Sequence, residues 1–169
     1  MKKAVAILLI TLALSCQHQP KAPLVVTHIT DGWEGTELIV DHIAQLSKGR
    51  KVLYLAESDP GKEWEMSDNG TYSTKLNEKE VIVCGLYFKA CIANTIRSSV
   101  ENGTEKILLP LDGVAVGKHR TLRDQMKDNW GNDRERFRSG YLEPFFDGIL
   151  GRYLYRVRVN DEYVTLFLR

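Results

Sequence analysis

Along the chain, short runs of aliphatic and β-branched residues alternate with longer stretches in which apolar side chains recur at helical spacing. Leu24-Val25-Val26-Thr27-His28-Ile29 reads as a first strand, ending at the turn residues Asp31-Gly32. From Thr36 to Ser47, Leu38, Ile39, His42, Ile43 and Leu46 share one helical face, and Gly49 supplies a stop. Lys51 to Ala56 is predicted as a second strand. Glu57 to Lys79 has no apolar periodicity, only turns at Asp59-Pro60-Gly61 and Asp68-Asn69-Gly70, and loops of that length are often functional covers. Glu80-Val81-Ile82-Val83-Cys84 forms a third strand whose apolar run suits burial on both faces. Ala90 to Asn102 is a helix with Ile92, Ile96 and Val100 four apart, closed by Gly103. Lys106 to Leu111 follows as a fourth strand, and Lys118 to about Trp130 as a charged helix with Leu122 and Met126 inward.

Such alternation predicts one α/β domain, residues 24–169, built on a mostly parallel sheet. Its end is atypical for that class. In the latter part of Tyr153 to Val159, Arg156 and Arg158 alternate with Tyr155, Val157 and Val159, and Asn160-Asp161-Glu162 turns the chain into Tyr163 to Leu168, a C-terminal β-hairpin.

Composition agrees with a soluble globular domain: 43% of the 169 residues are apolar and 27% charged, which excludes disordered, collagenous and disulfide-stapled classes. The balance of 23 basic against 22 acidic residues gives +1, and nothing in it asks for a nucleic-acid partner.

The amino-terminal segment is an address. Met-Lys-Lys, an apolar run from Ala4 to Leu14 interrupted by Thr11, and Ser15 have the layout of a secretory signal peptide over residues 1–15, too short to span a bilayer. Ala13-Leu14-Ser15-Cys16 then resembles the lipobox of bacterial lipoproteins, with Ala where Leu is commoner. That resemblance implies a diacylated Cys16 and a lipidated tether over residues 16–23. It also implies a lipid anchor in the cell membrane or outer membrane, facing the periplasm or the exterior.

Three cysteines are too few for a disulfide framework and odd in number. With Cys16 as anchor, Cys84 reads as a core residue of the third strand, and a Cys84 to Cys91 disulfide is the alternative. Cys91 is placed for chemistry: a buried strand, the short loop Gly85 to Ala90, then a thiol in the first turn of a helix. The positive end of a helix favours thiolate, and Lys89 adds to it. Backbone N–H groups at the same end can receive an oxyanion, and the loop lies where open α/β sheets bind ligands.

Gly85 with Cys91 six positions on, the Ile-x-x-Thr helix, Glu101-Asn102-Gly103, a strand running to Asp112 and Gly117-Lys118-His119-Arg120-Thr121-Leu122 together resemble the isochorismatase-like cysteine hydrolases, the superfamily of the nicotinamidases. The likeness covers roughly Leu24 to Met126 and is specific from Val81 to Leu122. It implies a doubly wound, three-layer α/β/α fold and a Cys-Lys-Asp triad, in which the cysteine attacks an amide or related carbon and water releases the thioester. Cys91 matches the nucleophile. The triad Asp counts onto His28, an imidazole that can itself serve a thiol as base, with Asp31 three residues on in a shifted register. For the Lys, Lys62 and Lys75 are candidates in the irregular middle segment.

Of the aromatic residues on the loops around the expected pocket, which include Trp64 and Tyr72, Trp33, Tyr87 and Phe88 are candidate contacts for a small planar substrate, or they pack the top of the sheet. His28, Asp31 and Asp112 have no recognised metal spacing, and no cofactor is called for. Two functions stay open. One is a membrane-anchored hydrolase of a small amide or related molecule. The other is a catalytically inactive lipoprotein of the same fold that binds a ligand or partner, and sheet edges and the hairpin leave room for an oligomer.

Overall fold

A computed structural model describes residues 21–27, 35–55, 66–67, 71–72, 78–117 and 119–169. In chain order, β1 (Leu24–Thr27) is followed by α1 (Thr36–Ser47), β2 (Val52–Leu55) and the two-residue strands β3 (Met66–Ser67) and β4 (Thr71–Tyr72). Next come β5 (Glu80–Gly85), a π-helical turn over Phe88–Ile92, α2 (Ala93–Glu101), β6 (Lys106–Pro110), β7 (Ala115–Gly117), β8 (Arg120–Thr121) and α3 (Leu122–Trp130). The remainder is α4 (Arg134–Phe137), a second π-helical turn over Arg138–Leu142, α5 (Glu143–Leu150), β9 (Tyr155–Val159) and β10 (Tyr163–Leu168).

The main sheet has the order β2-β1-β5-β6-β10-β9. Its first four strands are parallel, β10 runs antiparallel to β6, and β9 pairs antiparallel with β10. The protein is therefore α/β with a mixed, mostly parallel sheet. Strand pleating divides the core in two. Leu24, Val26, Ile82 and Cys84 face one way and pack with Ile39 and Ile43 of α1, whose Leu38 and Val40 are exposed. Val25, Val81, Val83, Ile107 and Leu109 face the other way, beneath Ile92, Ile96, Met126, Phe137 and Phe146 of the remaining helical segments. Each face is thus covered by helix.

Two helices depart from the expected bounds, for local reasons. The helix expected from Ala90 opens at Phe88 as a π-helical turn, because the Tyr87 carbonyl accepts from both Ala90 N (2.9 Å) and Ile92 N (3.3 Å). The helix expected from Lys118 begins at Leu122, because Thr121 makes a capping box: its hydroxyl accepts from the Asp124 backbone (3.2 Å) while the Asp124 carboxylate accepts from the Thr121 backbone (2.9 Å). Residues 131–150, for which no element was expected, form α4, the second π-helical turn and α5.

Candidate functional site

The site is set by the order of the strands. From β1 the chain crosses by α1 to β2 on one side; from β5 it crosses by α2 to β6 on the other, over the opposite face. The adjacent pair β1 and β5 is therefore a topological switch point, and the crevice beyond its carboxyl ends is where such sheets bind ligands. Thr27 and Gly85 are register partners at the last rung. Gly85 has φ +140, and a Cβ there would lie 2.0 Å from the Thr27 carbonyl oxygen. The same carbonyl accepts from Leu86 N at 3.3 Å, and Gly85 N donates to the Gly113 carbonyl at 2.9 Å. The Thr27 hydroxyl is buried with no hydrogen-bond partner among the described residues.

From that rung β5 delivers the thiol. Tyr87 is left-handed (φ 58) and 44% exposed, and the wide turn that follows brings Cys91 onto the inner side of the helix. Cys91 is 9% exposed, its carbonyl accepts from Thr95 Oγ1 at 2.9 Å, and it sits within the first turn, where the backbone dipoles favour an anion. Cys84 differs in every respect. It is sealed against α1, a Cβ on Gly113 would lie 2.9 Å from its sulfur, and burial pushes its thiol pKa far up, so it stays neutral. Neither of these cysteines is in a disulfide. The His42 ring, on the semi-apolar face of α1, borders the same Gly113, 3.2 Å from such a Cβ.

Other sequence candidates fall elsewhere. Phe88 is not a substrate contact: it is fully buried, with its ring 4.2 Å from Phe145 and 6.1 Å from Tyr141. Aromatic packing with α5 claims it. Lys89 places its ammonium 5.7 Å from the Tyr141 ring centroid on the exposed side of the turn, whereas Cys91 is on the buried side. Asp112 is held by Arg123 in a bidentate pair (2.6 and 2.7 Å), which ties the end of β6 to α3. His119 is exposed and lines a shallow surface groove of about 290 Å³ with Arg120 and Gln125. Tyr72 is in β4. Cys16, His28, Asp31, Trp33, Lys62, Trp64 and Lys75 lie outside the described residues. Among the described residues no cluster of His, Cys, Asp or Glu is suited to a metal ion.

One feature escaped the sequence reading. A groove of about 530 Å³ runs between Lys89 and α5, walled by Tyr141, Pro144, Phe145 and Ile149. Its signal was the four-residue spacing of Phe137, Tyr141, Phe145 and Ile149. Comparison with family models, curated proteins and solved structures finds no match to this chain.

Proposed function

We propose that the protein is a membrane-anchored cysteine hydrolase of the isochorismatase-like kind, acting on a small amide or related substrate. The observation that carries this reading is the position of Cys91, in the first helical turn after β5 beside the switch point of the sheet. In the proposed reaction His28 or Asp31, both of which follow β1 in the sequence, takes the thiol proton. The sulfur adds to the substrate carbonyl carbon, the C–N bond breaks and the amine departs with a proton. Water then cleaves the thioester, releasing the acid and restoring the thiol. Lys62 or Lys75 polarises the carbonyl, and Tyr87 and Trp33 border the substrate. The three-layer sandwich and the final antiparallel pair of strands are, on this reading, an isochorismatase-like domain with an added hairpin. Cys16 carries the lipid, which places the domain outside the cytoplasmic membrane. No described helix is long and apolar enough to cross a membrane.

The near-burial of Cys91 favours the second reading, an inactive binder of the same fold. Alkylation with a small electrophile, read by intact mass, separates the two. The hydrolase reading expects one rapid modification that Cys91→Ser abolishes and Cys84→Ser leaves intact. Equal labelling of Cys91→Ser would sink it, and a wild-type Cys91 that stays unlabelled while folded would leave the binding reading standing.

A further inference from the structure

The end of the sheet opposite the crevice carries its own chemistry. Lys21 enters β1 there, and the α1-to-β2 connection brings Lys48, Arg50 and Lys51 beside it. Leu24 N donates to the Lys51 carbonyl (2.9 Å), Arg50 Nη1 donates to the Ala22 carbonyl (3.2 Å), and the Lys21 ammonium comes within 3.9 Å of where a Cβ on Gly49 would sit. None of these four cations has a carboxylate partner among the described residues. Of the described acids at that end, Glu80 pairs with Lys106 at 3.1 Å, Glu105 pairs with Lys79 and Asp147 accepts from the Tyr155 hydroxyl at 2.5 Å, leaving Glu78 and Glu101. The chain enters β9 at the same end. Just before it stands Leu154, at 71% exposure the most exposed large apolar side chain described, two residues after the exposed Arg152.

We infer that this end of the domain is a membrane-docking surface for anionic phospholipid headgroups, with Leu154 as its apolar contact. The inference rests on the lipid-anchored reading above for its occupant. Lys21 is five residues from Cys16, and five residues span about 18 Å at most. An acylated Cys16 therefore keeps this cationic end, rather than the Cys91 end, against the bilayer. Headgroup attraction acts within a Debye length, about 8 Å at physiological salt. Each Lys or Arg near an anionic surface strengthens binding roughly fivefold.

The test uses the mature chain from residue 16 carrying Cys16→Ser, which keeps every described element and removes the acyl group, so that binding reports the protein surface alone. Sedimentation with phosphatidylglycerol-containing vesicles and with pure phosphatidylcholine vesicles should show at least tenfold tighter binding to the former, a preference that high salt abolishes while leaving a weaker apolar binding common to both. Lys48→Glu with Lys51→Glu should weaken it about 25-fold or more, at an unchanged melting temperature. Leu154→Ser should weaken the salt-resistant remainder. Equal partition into both vesicles, or full binding by a folded double variant, overturns the inference. The intact mass of the wild-type protein from the membrane fraction reports acylation separately. A chain unacylated at Cys16 that still binds phosphatidylglycerol ends the anchor and keeps the surface; an acylated chain whose surface shows no preference does the reverse.

Discussion

Replacing Gly85 by alanine tests the switch point directly. The residue has φ +140, a region that costs an L-residue about 1–2 kcal/mol. Its added Cβ would stand 2.0 Å from the Thr27 carbonyl oxygen and 2.7 Å from Thr27 Cγ2. Those neighbours belong to the adjacent strand and its β-branched side chain, so the contact is relieved only by separating β1 from β5. Overpacking of that kind adds about 1–3 kcal/mol. Gly85→Ala is therefore expected to cost about 2–5 kcal/mol, a large part of the 5–15 kcal/mol typical of a domain. Gly103→Ala is the control: it too has positive φ (+86), but nothing lies within 4 Å of its Cβ, so only about 1 kcal/mol is expected. Urea unfolding of both variants, with m-values unchanged, reads the difference. If Gly85→Ala is no worse than Gly103→Ala, the close approach of β1 and β5 does not constrain the sheet and the geometry argued for the crevice fails.

Two further outcomes follow from the helical layer. Thr121→Ala removes the hydroxyl that accepts from the Asp124 backbone at the start of α3, while the Thr121 backbone still donates to the Asp124 carboxylate; it should cost about 1 kcal/mol, with Thr121→Ser recovering most of it, by the same unfolding assay. Tyr155 links β9 to α5 by donating to the Glu143 carbonyl (3.1 Å) and to Asp147 Oδ1 (2.5 Å), and Tyr155→Phe should cost about 1–2 kcal/mol at neutral pH. Burial, and then the bond to Asp147, raise the Tyr155 pKa above its ordinary value. The folded state keeps this proton to higher pH than the unfolded chain, whose tyrosines titrate near 10. Its contribution is thus fully present below about pH 10 and is lost as pH climbs above that, and Tyr155→Phe should flatten the alkaline fall in stability. An identical alkaline slope in the variant would contradict this.

Periodicity located α1 at Thr36–Ser47 because nothing competes with its apolar stripe, and β1, β2, β5 and β6 were legible because their apolar runs have few alternatives, whereas the two-residue strands β3 and β4 fall in the stretch from Glu57 to Lys79 that was expected to be loop. Where local hydrogen bonds reset a helix start, the pattern misled: the Thr121 hydroxyl moves one start from Lys118 to Leu122, and the Tyr87 backbone carbonyl moves the other back to Phe88. Residues 131–150 were obscured by their Arg and Glu content, and by Gly140 and Pro144 breaking the expected continuity. Gly140 is needed there, since a Cβ on it would lie 2.4 Å from the Trp130 ring. Cys91 was found by its spacing from β5, but sequence gave no way to see that Phe88, three residues earlier, is turned inward by α5. The place of Cys91 after β5 was legible from order along the chain; that Phe88 is buried depended on Tyr141 and Phe145, more than fifty residues away.

The insertion of β10 between β6 and β9 bears on how the chain reaches its folded state. Lys106 pairs with Phe167, and Val164 bridges Leu109 to Val159, so two of the sheet's five strand pairings close only after Tyr163–Leu168 has arrived. Such pairing across a long intervening segment carries loop-closure entropy before it yields contacts, and slows folding. Until then β6 presents an unpaired edge of Ile107, Leu108 and Leu109, a template for pairing with another chain. A chain cut before Tyr163 would keep β1, β2, β5 and β6 yet lose this seal, and its hazard would be aggregation at β6 rather than loss of Cys91.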